Sequence, residues 1–152
     1  VGVLEDHIRK VFAAIMAIIN IYFWLSALLM LFASWVDWRS FRIPYLTIFG
    51  VGSLGFIYSY QQGYHMVEIV FSALAIGSGL FLLEYVSRKP ILGYGDMQLF
   101  IACMMWLRLE QLPLFFVLTG ITGAMMGVLL FRNQYFPLAP AISLAWFVSL
   151  LW

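Results

Sequence analysis

The chain has 152 residues, 64% of them hydrophobic and 10% charged, against about 25% charged in ordinary soluble domains. A mean hydropathy of +0.99 excludes a water-soluble globular domain, and a net charge of +1 argues against a nucleic-acid partner. Cys103 is the one cysteine, so neither a disulfide nor a cysteine zinc site forms within the chain. These numbers predict an all-α membrane protein, a bundle of about six transmembrane helices in a single membrane-embedded domain over 1–152. The aromatic content suits interfacial belts, with Trp35, Trp38, Trp106 and Trp152 near segment ends.

Residues 1–10 form a polar lead-in carrying Glu5, Asp6, His7, Arg9 and Lys10. The apolar run behind them is too long for a signal-peptide core. The first predicted segment, 12–36, measures roughly 37 Å as a helix, enough to cross a bilayer with tilt. Asn20 inside it suits an interhelical hydrogen bond. Asp37 closes this run and begins a short basic stretch, Asp37-Trp38-Arg39-Ser40-Phe41-Arg42-Ile43-Pro44. Pro44 stands where a helix can begin, because a missing N–H costs nothing in the first turn. The second segment, 45–60, carries Gly50, Gly52 and Gly55 for close packing. His65 lies in the turn that follows and has no second metal ligand at useful spacing, so no metal or cofactor is expected.

The third segment, 66–86, has Glu68 near its start, the small pair Ala73 and Gly77, and Glu84 near its end. Glu84 precedes Arg88 by four residues, and an i,i+4 ion pair is its plain reading. A second basic loop, Ser87-Arg88-Lys89-Pro90, leads into Gly93-Tyr94-Gly95-Asp96. The glycines allow a sharp turn and a close backbone approach. Asp96 sits in the first turn of the fourth segment, 97–107. A carboxylate at the edge of hydrocarbon is expensive and marks a functional candidate, although an aspartate there also serves as a helix N-cap. The fifth segment runs from Pro113 to about 131, with Gly120, Gly123 and Gly127 on a small face. The sixth, 136–152, carries Pro137 and Pro140 in its first turns, where they remove backbone donors and hinder a regular start.

With six crossings, the loops after segments one, three and five share a membrane side. They hold Arg39, Arg42, Arg88, Lys89 and Arg132, against Arg9, Lys10 and Arg108 on the other side. The positive-inside bias makes the Asp37 and Asp96 side cytoplasmic and both termini external. The basic residues there set topology and contact anionic headgroups.

Two carboxylates brought together divide acid and base work, one activating a water and the other polarising a carbonyl. No metal cluster, Gly-x-Ser-x-Gly motif or Cys–His pair competes with that reading. Taking each aspartate on its own helix, the dipoles make Asp96, at a positive end, the ionised base and Asp37, at a negative end, the protonated acid.

Three motifs in order carry a resemblance. Asp37-x-Arg39-x-x-x-Ile43-Pro44 resembles the first aspartate motif of type IV prepilin peptidases. Gly93-x-Gly95-Asp96 resembles their Gly-x-Gly-Asp signature, and Phe136-Pro137-Leu138-Ala139-Pro140 their C-terminal Pro-Phe-Gly-Pro stretch. The resemblance covers roughly 32–151. It implies a membrane aspartic endopeptidase that cuts the short basic leader from prepilins or pseudopilins at the cytoplasmic face of the bacterial inner membrane, with Asp37 and Asp96 catalytic. It implies a short form, because nothing here resembles the cysteine-paired methyltransferase domain of many members. Gly93, Gly95, Pro137 and Pro140 would shape the site, the prolines by holding irregular backbone beside Asp96. Glu84, the one acid on that side besides the pair, would receive a basic leader. Two positions depart from the pattern, Tyr45 for the Asn after Ile-Pro and Gln98 for the Lys after the second aspartate; both bear on rate or substrate range.

Two alternatives stay open. One is another Gly-x-Gly-Asp protease, preflagellin-processing or presenilin-like. The other is no enzyme, but a proton-linked transporter or an assembly scaffold. A transporter places its acids near the midplane within repeated halves, and no repeat is visible here.

Overall fold

The computed structural model describes residues 2–64, 66–87, 93–130 and 137–152, with the backbone alone for 2–20, 66, 83, 84, 87, 129 and 130. Among them run six α-helices: α1 (Gly2–Ser40), α2 (Tyr45–Gln61), α3 (Met66–Ser87), α4 (Tyr94–Met104), α5 (Leu112–Leu130) and α6 (Ala139–Leu151). A short 3-10 turn, Leu109–Gln111, joins α4 to α5. The all-α bundle expected from composition is what the chain forms. Ile21–Ser40 and Leu109–Val128 are long and apolar enough to cross a membrane, and Val67–Leu82 and Ala139–Leu151 are shorter apolar helices. Only helices or closed barrels satisfy backbone hydrogen bonds in hydrocarbon, which is why an apolar chain of this kind folds so.

Helix boundaries differ from the sequence reading where polarity was taken as a stop. α1 begins at Gly2 rather than 12 and passes Asp37 to end at Ser40, because a helix needs only good propensity, not apolarity, to continue. α4 starts at Tyr94 and stops at Met104, and Met105–Leu107 turn back through bonds to the carbonyls of Ala102, Cys103 and Met104. α6 begins at Ala139, with Pro140 in its first turn. The prolines displace the start rather than abolish it, since the first turn needs no donor.

α4 is the central element. Its Leu99, Cys103 and Met104 are buried, as are Met30 of α1, Val51 of α2, Ala73 of α3, Phe115 of α5 and Ile142 of α6, all in one cluster with it. Around it α2 packs on α1, α1 on α6 and α6 on α5, while α3 lies against α4. The small pair on α3 does what its spacing predicts. Ala73 is buried, and a side chain at Gly77 would meet Ile101 of α4 at 3.0 Å.

Trp106 departs from the belt expectation. It is buried, its Nε1–H donates to the Val51 carbonyl at 2.9 Å, and its ring stacks on Tyr58 with centroids 4.8 Å apart. Trp35, Trp38 and Trp152 are exposed. The turn after α4 folds Trp106 inward, and a buried indole keeps its N–H bonded. Gly55 makes room for it: a Cβ there would stand 2.4 Å from the indole. Gly55→Ala is therefore expected to cost about 1–3 kcal/mol through overpacking. Gly120→Ala, with no atom within 4 Å, should be neutral or stabilising by up to about 1 kcal/mol. Thermal unfolding of both variants in detergent checks the contrast.

Candidate active site

Asp37 lies in the last turn of α1 and is buried, at 4% exposure. Its Oδ2 accepts a hydrogen bond from the Ala139 N–H at 3.1 Å, and the Leu138 N–H also reaches its carboxyl. Leu138 is the N-cap of α6 and Ala139 its first helical residue. The first N–H groups of a helix have no partner within it and carry the positive end of its dipole. A carboxylate from a distant helix meets both needs. Pro137 and Pro140 flank these two donors, so the proline stretch makes its hydrogen bonds to Asp37, where the sequence reading set it beside Asp96. Because the dipole argument counted only each aspartate's own helix, it omitted the helix that bears most directly on Asp37.

Immediately after α1 the chain reverses. The Phe41 N–H donates to the Asp37 carbonyl at 2.9 Å, and Phe41 adopts a positive φ of 53°. A non-glycine residue pays about 1–2 kcal/mol for that conformation, and such strain clusters at functional sites. The turn swings Arg42, Ile43 and Pro44 back over the end of α1. Pro44 then serves as the N-cap of α2, its carbonyl accepting from the Thr47 N–H at 3.0 Å and from the Thr47 hydroxyl.

Asp96 arrives from the other side. It is the third residue of α4, whose N-cap is Gly93, so its place is inside the first turn rather than at the cap. A hydrogen bond from the Gly93 backbone reaches its carboxyl, while its Oδ1 is buried and meets no hydrogen-bond partner among the described residues. Both glycines of the motif stand close to a neighbouring side chain. A Cβ on Gly93 would lie 2.7 Å from Asp96 Oδ2, and one on Gly95 would sit in contact with Ile43 at 3.4 Å. The first motif thus packs directly on the second, Ile43 against Gly95.

The result is one pocket of about 330 Å³ that both aspartates line, with Phe41, Arg42, Ile43, Tyr45, Gly93, Tyr94 and Gly95. The carboxyl groups are close enough for Asp96 to feel the charge of Asp37. Arg39 places its guanidinium 4.8 Å from the centre of the Trp35 ring, whereas Arg42 walls the pocket. The sequence reading missed Phe41, Arg42, Tyr45 and Tyr94 as wall residues and the backbone donors of Leu138 and Ala139. Only the departure at Tyr45 hinted at them, since backbone donors leave no trace in residue identity. The side chains of Asn20 and Glu84, and His65, Arg88, Lys89, Arg132 and Phe136, lie outside what the structure describes. Among the described residues no cluster of three metal-ligating side chains occurs.

The described geometry suits acid–base chemistry on a substrate placed between two unequal carboxyl groups. It also yields a stability test. Asp37→Asn retains a carbonyl acceptor for Ala139, whereas Asp37→Leu retains bulk and strands the donors. The leucine protein is expected to be less stable than the asparagine protein by about 1–3 kcal/mol. Equal unfolding midpoints would show that this bond does not hold the start of α6.

Residues 24–128 match the type IV leader peptidase family. Among curated proteins, the chain is 32% identical over 89 residues to the prepilin leader peptidase/N-methyltransferase of Pseudomonas aeruginosa, covering 55% of this chain and 31% of that protein. It is 32% identical over 85 residues to the protein of the same description from Aeromonas hydrophila (52% and 29% covered). It is 33% identical over 85 residues to that of Stutzerimonas stutzeri (52% and 29%). The matched stretch thus spans about three tenths of the length of these relatives. No solved structure matches.

Proposed function

The chain belongs to the type IV leader peptidase family, and from that membership we propose that it is a membrane aspartic endopeptidase that removes the leader peptide from prepilins or pseudopilins. The observation that carries the proposal is that Asp37 and Asp96, far apart in sequence, line a single pocket. Only the peptidase activity is proposed for the residues present, taken as one membrane-embedded domain over 1–152.

Hydrogen bonding divides the roles, and it reverses the assignment that the separate helix dipoles suggest. Asp37 receives N–H donors from the start of α6, which suits a carboxylate. It acts as the base that takes a proton from the attacking water. Asp96, whose Oδ1 has no partner among the described residues, holds the shared proton and donates it to the scissile carbonyl oxygen. Water oxygen bonds to the carbonyl carbon to give a tetrahedral diol; its C–N bond then breaks, the amine leaving with the proton held on Asp37 while one hydroxyl returns its proton to Asp96.

The charge bias of the loops supports a pocket at the cytoplasmic face of the bacterial inner membrane, with membrane lipid around the exposed apolar side chains. Against a transporter stands the position of both carboxyl groups at helix ends, Asp37 in the last turn of α1 and Asp96 in the first turn of α4.

Co-expression with a prepilin, read by a gel shift on leader loss, tests the activity. Asp37→Asn and Asp96→Asn should each lower processing by roughly a thousandfold or more; normal processing in either would defeat the two-aspartate mechanism. Gly93→Ala, which pushes on the Asp96 carboxyl, should cost about a hundredfold while the bundle stays folded. Glu84→Gln should slow processing of a basic leader more than of a charge-neutralised one, and an equal effect would leave Glu84 as a structural partner of Arg88.

A further inference from the structure

A second concavity, with an almost wholly apolar lining, lies further along α2 and α4 from the pocket. It has a volume of about 640 Å³ and runs between α2 and α4, lined among others by Ile48, Gly52, Phe56, Gln98 and Ala102. Its floor is low, because Gly52 approaches Ala102 so closely that a Cβ on the glycine would be 3.5 Å from the alanine methyl.

Helical spacing joins this groove to the aspartate pocket. On α2, Tyr45 walls the pocket, and Ile48, Gly52 and Phe56 continue the same face into the groove at steps of three and four residues. On α4, Tyr94 and Gly95 wall the pocket, and Gln98 and Ala102 carry that face onward in the same way. The two concavities are successive parts of one track along the α2–α4 seam.

Gln98 stands where they meet, one turn beyond Tyr94. Its Oε1 is buried and meets no donor among the described residues. The terminal torsion of a glutamine is broad, so the amide can turn this oxygen toward an arriving donor while α4 stays in place. A lipid acyl chain lying in the groove offers no N–H. The first turn of a helix offers four that lack partners. Backbone within hydrocarbon must otherwise bond internally, so a peptide that is extended at the aspartates can continue into an apolar groove only as a helix.

Building on the peptidase reading, we propose that the α2–α4 groove seats the apolar membrane helix of the substrate, with Gln98 accepting a hydrogen bond from the first turn of that helix. The substrate enters sideways from the bilayer, its helix lies along Phe56, Gly52 and Ile48, and its unwound N-terminal end reaches Asp37 and Asp96. Gln98 is then a specificity-determining residue that fixes how far from the helix start the cut falls.

Photo-crosslinking tests the seat without requiring cleavage. Benzoylphenylalanine replaces Phe56 in the groove or, as a control, Val128 on the exposed face of α5, each in the Asp96→Asn protein co-expressed with a prepilin carrying an apolar helix after its leader. An adduct with the prepilin from position 56 and none from 128 is expected. Equal adducts from both positions, no adduct from 56, or adducts from 56 only with lipid or with a second copy of this chain would overturn the groove. For Gln98→Leu, KM for the helix-bearing prepilin should rise about tenfold with kcat within twofold, while KM for a short soluble peptide around the cut stays unchanged. Equal rises for both substrates, or none, would remove Gln98 from the proposal. If the unaltered protein cuts neither substrate, the peptidase reading has failed, and the crosslinks alone decide the groove.

Discussion

The hydrogen bond from the Ala139 N–H to Asp37 Oδ2 ties the two ends of the chain together at one point. α6 cannot cap its own first turn, because Leu138 brings no side-chain hydrogen bond and Pro140 follows at once. The carboxylate of α1 supplies the missing acceptor. Both groups are buried, so an unmet N–H or an unpaired carboxylate there would cost about 1–3 kcal/mol. The bond thus holds α6 against α1 and holds the Asp37 carboxyl in a fixed direction. Below it the two helices are joined again by the Ser34 and Ser143 hydroxyls, 2.7 Å apart, and by Phe23 stacked on Trp146 with centroids 6.0 Å apart.

Around that anchor the rest of the site follows from steric exclusions. The left-handed Phe41 turns the chain so sharply that Ile43 falls on Gly95, at a separation that a Cβ there would just fill. Gly93 plays the matching part for Asp96, whose carboxyl occupies the volume that a methyl would fill. The glycines, the isoleucine and the strained turn therefore form one packing unit, although they belong to two separate sequence motifs. Its product is a pair of carboxyl groups in unlike surroundings, one met by the start of a helix and the other with an oxygen unpaired among the described residues, which is the inequality that acid–base division needs.

The same central helix links chemistry to membrane. α4 is only 11 residues long, about 16 Å by helical rise, and its buried side is packed by residues from every other helix. Its remaining face, from Tyr94 through Gln98 to Ala102, is left to the α2–α4 seam. A short, enclosed helix with one open stripe has little freedom to tilt, so Asp96 at its start is held as firmly as the core itself.

Composition and the length of the apolar runs determined that this is an all-α membrane protein, because continuous apolar runs of about 20 residues span as helices, whereas barrel strands are short and alternate. Three spaced motifs, each resting on residue types with few substitutes, likewise marked Asp37, Gly93, Gly95 and Asp96. What lay beyond the sequence was everything carried by backbone or by direction. Nothing in the letters of Leu138 and Ala139 says that their N–H groups face Asp37, because every residue but proline has one. Nor does the string reveal that Trp106 turns inward while Trp35 stays out, since both follow apolar runs and only the fold after α4 decides which side meets lipid. The two dipoles counted only each aspartate's own helix, whereas the donors that reach Asp37 come from a helix distant in sequence. Local chemistry is written residue by residue, whereas the partner of a buried charge is settled only when distant helices pack.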